Sequence, residues 1–111
     1  MRINDLENTV LAKAFSGNEN GFEQLRRQVG NLRVKAREYT GAGVFVDFDT
    51  IEDKLRVNVP DCEVTNVEGE SDALQKGFGC AVFIRNGQIT TLECFSYDEP
   101  WPSDLGKFRI R

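Results

Sequence analysis

Residues 78–96 read F-G-C-A-V-F-I-R-N-G-Q-I-T-T-L-E-C-F-S, and this stretch decides the fold. Two runs rich in β-branched and aromatic residues flank Asn86-Gly87, the dipeptide that a type I′ turn prefers. The stretch therefore predicts a β-hairpin. Because alternate residues of a strand point to opposite sides, one side of this hairpin collects an apolar set for the core: Phe78, Cys80, Val82 and Ile84 from the first strand, Leu92 and Cys94 from the second.

Upstream of the hairpin, further alternating segments predict more strands. One has Leu32, Val34 and Ala36 on an apolar side, with Arg33, Lys35 and Arg37 opposite. After a turn at Gly41–Gly43, a second has Val44, Val46 and Phe48 on one side. Leu55, Val57 and Val59 predict a third strand, ended by Pro60, and residues 63–68 a weaker fourth. Residues 69–76 are predicted as a loop, and residues 107–111 as a short last strand.

The first thirty residues have helical spacing instead. Apolar residues at Ile3, Leu6, Val10 and Ala14 form one stripe, and Phe22, Leu25 and Val29 form another. Asn4 and Glu7 stand three apart, as the two partners of a capping box do, and Asn20 and Glu23 repeat that spacing. These patterns predict two short amphipathic helices.

Helices followed by a run of strands indicate an α+β domain. We expect a single domain over residues 1–111, with an N-terminal pair of short helices packed on one face of an antiparallel sheet. The sheet should be mostly meandering, with about five or six strands, because no connection is long enough for a crossover helix.

Composition restricts the partners. The chain has 18 acidic and 14 basic residues and a net charge of −4, which argues against binding nucleic acid, since that affinity depends on clustered Lys and Arg. No stretch resembles a secretory signal or a membrane span. We expect a cytoplasmic protein that binds neither nucleic acid nor membrane.

The residues that usually perform catalysis are scarce. There is no histidine, which excludes the common Ser-His and Cys-His nucleophile pairs. Cys62, Cys80 and Cys94 are widely spaced, without C-x-x-C, and we expect them to be buried and reduced, holding no zinc. Glu93 lies next to Cys94 but on the opposite side of the strand. The sequence therefore predicts no catalytic residue, no metal site and no cofactor.

Two other patterns have alternative interpretations. Asp47, Asp49, Glu52 and Asp53 form an acidic cluster that could hold a hard cation, but they lack the calcium-loop spacing. An outward-facing strand residue followed by a turn is the favoured interpretation. Glycines in G-A-G-V-F-V and G-F-G-C-A-V precede strands rather than helices, so they favour turns or bulges over a phosphate loop.

One cluster of residues is a candidate binding surface. The alternation that buries Leu92 and Cys94 turns Phe95 and Tyr97 to the other side, which we expect to lack helices. Aromatic residues are enriched in protein-recognition surfaces, although Trp101 between two prolines could instead fold back as a plug. The predicted protein-binding residues are Phe45, Asp47, Asp49, Phe95, Tyr97, Asp98, Glu99 and Trp101.

Residues 77–102, G-F-G-C-A-V-F-I-R-N-G-Q-I-T-T-L-E-C-F-S-Y-D-E-P-W-P, resemble the end of a family of small uncharacterised bacterial proteins. The segments L-E-N-T-V-L (6–11) and R-E-Y-T-G-A-G (37–43) are also similar to that family. The resemblance implies a self-contained bacterial domain. That family has no assigned activity, so it supplies no site residues.

The leading hypothesis is a non-enzymatic domain that binds another protein, as toxin-neutralising immunity proteins of similar size and charge do. The alternative is a small-ligand binder or carboxylate-based enzyme with a pocket between the helices and the sheet. A third hypothesis is a homodimer, in which a second copy of the chain is joined through a sheet edge or through the exposed aromatic face.

Overall fold

Six antiparallel strands form one sheet, and both helices pack on the same face of it. The computed structural model describes all residues from Met1 to Arg111. The strands lie in the order β1-β2-β5-β4-β3-β6, which confirms the predicted α+β fold. The elements are α1 (Asp5–Ala14), α2 (Phe22–Val29), β1 (Val34–Tyr39), β2 (Gly43–Phe48), a 3-10 turn (Asp53–Leu55), β3 (Cys62–Ser71), β4 (Leu74–Arg85), β5 (Gln88–Ser96) and β6 (Phe108–Ile110).

The hairpin of β4 and β5 forms the centre of the sheet. Asn86 and Gly87 have φ of 53° and 72°, the positive values that a type I′ turn requires at both central residues. All six apolar side chains predicted for the hairpin's core side are at most 1% exposed. We call the side that they and the helices occupy the inner face, and the opposite side the outer face.

The first helix begins as the sequence predicts. Asn4 Oδ1 accepts from the Glu7 amide at 2.8 Å, and Glu7 Oε1 accepts from the Asn4 amide at 2.9 Å, completing the capping box. The cap predicted at Asn20 is wrong. Helix α2 is instead preceded by Gly21 with φ of 85° and no side-chain cap, where a Cβ would lie 2.5 Å from a methyl carbon of Val59.

Helices α1 and α2 have ten and eight residues. Neither is long and apolar enough to cross a bilayer.

The strand predicted at residues 55–59 is wrong. This segment forms part of a 3-10 turn and an extended loop, because its polar backbone groups find partners outside the sheet. Gln28 Nε2 donates to the Leu55 carbonyl at 2.9 Å and to the Gly87 carbonyl at 2.8 Å. The Val57 amide donates to the same Gly87 carbonyl at 2.9 Å.

The loop predicted at residues 69–76 is also wrong. Strands β3 and β4 continue through this segment and are joined by a turn at Asp72 and Ala73. Gly69 marks a close contact rather than a loop, because a Cβ there would lie 2.3 Å from the ring of Phe78. The weak strand predicted at residues 63–68 is therefore the middle of a ten-residue strand.

A bulge in β1 overturns the predicted basic side of that strand. The register shifts between Val34, opposite Phe48, and Ala36, opposite Asp47. Since directly paired residues share a face, Ala36 moves to the outer face and Arg37 to the inner face. Arg37 thereby reaches the helices.

Candidate functional site

The outer face of the sheet has no helix over it and carries four aromatic side chains. Phe45, Phe83 and Phe95 are half-buried, and Tyr97 is 37% exposed. A sheet face that leaves several aromatic rings in contact with solvent is typical of an interaction surface.

Phe95 and Tyr97 form one packed unit on this face. Their ring centroids lie 5.7 Å apart with an interplanar angle of 87°, the edge-to-face arrangement that aromatic pairs favour. A Cβ at Gly79 would lie 2.7 Å from the Phe95 ring and 2.4 Å from the Tyr97 hydroxyl. The two rings therefore cover the glycine of the central strand. This burial, together with the charge of Glu68, raises the pKa of the Tyr97 phenol.

Charge divides the outer face into two halves. On the β3–β4–β6 half, acids are neutralised: Glu63 pairs with Arg85 at 2.8 Å, and Glu70 with Arg109 at 2.7 Å. The guanidiniums of Arg111 and Arg109 bind the Glu70 carboxylate and lower its pKa.

On the β1–β2–β5 half, the acids have no basic partner. Glu38 lies opposite Phe45, which lies opposite Glu93. Asp47 accepts from the Thr91 hydroxyl at 3.1 Å, and none of the three carboxylates has a Lys or Arg nitrogen within 4.0 Å. We call this surface the acidic-aromatic patch, and its residues are Glu38, Phe45, Asp47, Glu93 and Phe95.

The structure brings together only some of the predicted binding residues. Phe45, Asp47, Phe95 and Tyr97 share the outer face. Asp49 follows the end of β2 and is exposed. Asp98 follows β5 at the other end of the sheet, about 17 Å or more from Asp47 at 3.3 Å per strand residue, and pairs with Lys76 at 3.5 Å.

Glu99 anchors the segment that leaves β5. Its carboxylate accepts from the backbone amides of Lys76 at 2.9 Å and Gln75 at 3.1 Å. These bonds to the ionised form lower the pKa of Glu99. The carboxylate of Glu99 therefore stabilises the fold of the chain itself.

Trp101 turns to the inner face, which separates it from Phe95 and Tyr97. Its ring makes an edge contact with buried Phe78, with centroids 5.8 Å apart, and its amide donates to the Gly41 carbonyl at 2.7 Å. The indole is thus a half-exposed plug at the edge of the core, as the alternative interpretation proposed.

Beside Trp101 lies a cavity of about 370 Å³ between α1 and the inner face of the sheet. Its floor is apolar, formed by Val44, Val46, Leu92 and Cys94. Its walls are the first turn of α1, the side chains of Arg37 and Tyr39 on β1, and residues 101–106. This is the place where the alternative hypothesis expected a pocket, and its volume lies within the range of small-molecule sites.

A buried ion pair forms one wall of the cavity. Arg37 Nε donates to Glu7 Oε2 at 2.7 Å, and Arg37 Nη2 donates to Glu7 Oε1 at 2.9 Å. The side chain of Glu7 is 3% exposed. The bond to Glu7 raises the pKa of Arg37, and the two opposite charges of this ion pair neutralise each other.

Sequence reasoning missed several residues of the outer face and of the cavity. Phe83 was missed although the hairpin alternation that buries Val82 and Ile84 turns it outward. Glu38 was missed because the predicted β1 alternation places it on the inner face, and only the bulge reverses that. Glu7 was identified as a cap, but no sequence signal indicated its ion pair with Arg37.

The other candidate groups form no reactive arrangement. Cys80 and Cys94 are buried and Cys62 is half-buried, so the expected burial is wrong for Cys62. The acidic residues after β2 do not converge, and no three Asp, Glu, Cys or His side chains are grouped as metal ligands.

Comparison with known proteins found no matching family model, curated protein or solved structure. Function therefore has to be inferred from the outer face and the cavity.

Proposed function

We propose that this protein is a non-enzymatic domain that binds another protein through the acidic-aromatic patch. One observation supports this proposal best: three carboxylates without a basic partner surround two half-exposed phenylalanines on a sheet face that no helix covers. Elsewhere on the same face, Glu63 and Glu70 are paired with arginines. The patch is therefore the part of the sheet whose charge is left for a partner to neutralise.

The partner's chemistry follows from this arrangement. It presents lysines or arginines around an apolar contact, since Phe45 and Phe95 supply apolar area and Glu38, Asp47 and Glu93 surround it with negative charge. A second copy of the chain fits poorly, because a two-fold interface places the same patch on both sides and brings like charges together.

Affinity purification from the source cells tests this proposal. The bait is the wild-type chain, a patch variant with Glu38→Gln, Asp47→Asn and Glu93→Gln, or a control variant with Glu19→Gln, Glu52→Gln and Asp72→Asn. The two variants have the same net charge, and all three control positions are exposed and outside the patch. Asn at position 47 can still accept from the Thr91 hydroxyl, so this hydrogen bond is retained.

We expect a protein that the wild type and the control retain and the patch variant releases. With that protein purified, affinity should fall about tenfold or more in the patch variant, because three surface ion pairs are lost. Phe45→Ala should weaken binding further. The proposal is overturned if no protein distinguishes the wild type from the patch variant, or if the control weakens binding equally.

We also propose that the protein works in the bacterial cytoplasm. Two observations support a reducing compartment: the chain has three cysteines, and all three are free thiols. The resemblance of residues 77–102 to a bacterial family supports a bacterial source for the protein.

A further inference from the structure

Two adjoining cavities surround Trp101 on the inner side of the sheet. The first has a volume of about 370 Å³, as described above. The second, about 400 Å³, lies between Trp101 and the β1–β2 turn. The two cavities share Tyr39, Trp101, Pro102 and Ser103, so the same indole and tyrosine side chains line both.

The charges that line the first cavity sum to a negative value. Glu7 and Arg37 neutralise each other, which leaves the carboxylates of Asp5 and Asp104. Neither forms an ion pair. Asp104 Oδ1 accepts from the Gly106 amide at 2.9 Å, and its second oxygen has no hydrogen bond.

An anionic ligand is disfavoured here. The guanidinium of Arg37 has already committed its Nε and Nη2 to Glu7, and Nη2 also donates to the Arg2 carbonyl at 3.0 Å. At the start of α1, the Asn4 side chain occupies the Glu7 amide, and Asp5 adds negative charge to the same turn.

A cation has favourable contacts. Ammonium groups are attracted by the faces of Trp and Tyr rings as well as by carboxylates, and the cavity presents both types of group above an apolar floor. We infer that this cavity binds a small organic ammonium ion whose apolar body rests on the sheet. The site is independent of the acidic-aromatic patch, because it lies on the other side of the sheet.

Three matched probes test the ligand class: 2-phenylethylammonium, the neutral 2-phenylethanol and the anionic phenylacetate, which have similar apolar bodies. Each is titrated at millimolar concentrations into the ¹⁵N-labelled full chain. We expect saturable amide shifts with the ammonium ion, centred on residues 5–7, Tyr39 and residues 101–106. The alcohol should bind more weakly, and the carboxylate should leave these amides unchanged.

Variants identify the groups responsible. The double change Asp5→Asn and Asp104→Asn, which keeps the size of both side chains, should weaken ammonium binding about fivefold, as should Trp101→Leu. The control Asp53→Asn with Asp72→Asn removes the same charge outside the cavity and should leave affinity unchanged. A loss seen with Asp5→Asn and Asp104→Asn supports the site even if Trp101→Leu proves unstable.

The inference is overturned if none of the probes shifts the cavity amides, if phenylacetate binds as well as the ammonium ion, or if the cavity and control double variants behave alike. The patch variant with Glu38→Gln, Asp47→Asn and Glu93→Gln should bind the ammonium ion like the wild type, which keeps this result separate from the protein-binding test.

Discussion

Cys80 and Cys94 lie directly opposite each other on β4 and β5, with their sulfur atoms 3.4 Å apart. Both are at most 1% exposed. Contact with Cys80 and burial raise the pKa of the Cys94 thiol. Since the thiolate is the reactive form, proximity does not make this pair reactive. It behaves as two small apolar residues of the core.

Thiol titration should therefore distinguish the three cysteines. At pH 8, we expect one thiol per native chain to react rapidly with a disulfide reagent such as dithiobis-nitrobenzoate, and three to react in denaturant. The rapid thiol is Cys62, which is half-buried at the start of β3. The rapid reaction should be absent from the Cys62→Ser variant. Rapid modification of two or more thiols in the native chain contradicts this prediction.

Glu7 shows how one residue can serve two structures. Its carboxylate caps α1 through the Asn4 amide and binds Arg37 across the inner face. The cap is local, within three residues, and was predictable. The ion pair joins residues thirty positions apart and depends on the bulge in β1, which the apparently regular alternation of residues 32–37 hides.

Among the elements, the loop between β2 and β3 depends most on long-range contacts. Gln28 on α2 is 1% exposed; it donates to the Leu55 and Gly87 carbonyls and accepts from the Ile89 amide at 3.1 Å. Gln88 supports the same loop by accepting from Ile51 at 3.2 Å and donating to Asp49 at 2.8 Å. In this loop, the two glutamine side chains replace the backbone hydrogen bonds that a neighbouring strand would supply.

Gln28→Leu should consequently be strongly destabilising. The substitution leaves a buried amide and two carbonyls without that partner, and we expect a loss of about 2 to 3 kcal/mol in the free energy of unfolding, measured by urea denaturation. Gln24→Leu is the matched control, since Gln24 is exposed on the same helix. It should change stability by less than about 0.5 kcal/mol. Equal effects of the two substitutions are incompatible with this role for Gln28.

The elements divide into those that local sequence determines and those that it does not. The hairpin was predictable because Asn86-Gly87 and the alternation of residues 78–96 agree. Residues 55–59 alternate equally well but form a loop, because Gln28 binds the Leu55 carbonyl and the Gly87 carbonyl binds the Val57 amide. The short turn at Asp72-Ala73 was missed since Gly69, which fits beneath Phe78, was interpreted as a loop residue.

The candidate sites were predictable to a similar extent. Phe45, Asp47, Phe95 and Tyr97 share the outer face because simple alternation places them there. Trp101 could not be assigned, since it follows β5 in an irregular segment whose direction is set by Glu99 and by the contact with Phe78. The cavity was predicted only as an alternative, and its walls come from three separate parts of the chain.

At the scale of the whole molecule, the sheet separates two surfaces of different character. The inner side is covered by helices and contains the cavity, whereas the outer side is open. Short segments cover part of each edge of the sheet. Residue Met1 exchanges backbone hydrogen bonds with Val34 at the start of β1, and β6, at the other edge, has only three residues.

We expect the chain to be monomeric at physiological salt, because an outer-face dimer brings Glu38, Asp47 and Glu93 against their own copies without a neutralising base. Light scattering at two concentrations tenfold apart should give 12.5 kDa at both. The patch variant with Glu38→Gln, Asp47→Asn and Glu93→Gln keeps the exposed aromatic rings but loses this repulsion, so its apparent mass should rise with concentration. The control variant with Glu19→Gln, Glu52→Gln and Asp72→Asn should remain monomeric. A wild-type mass near twice the monomer value would contradict this prediction.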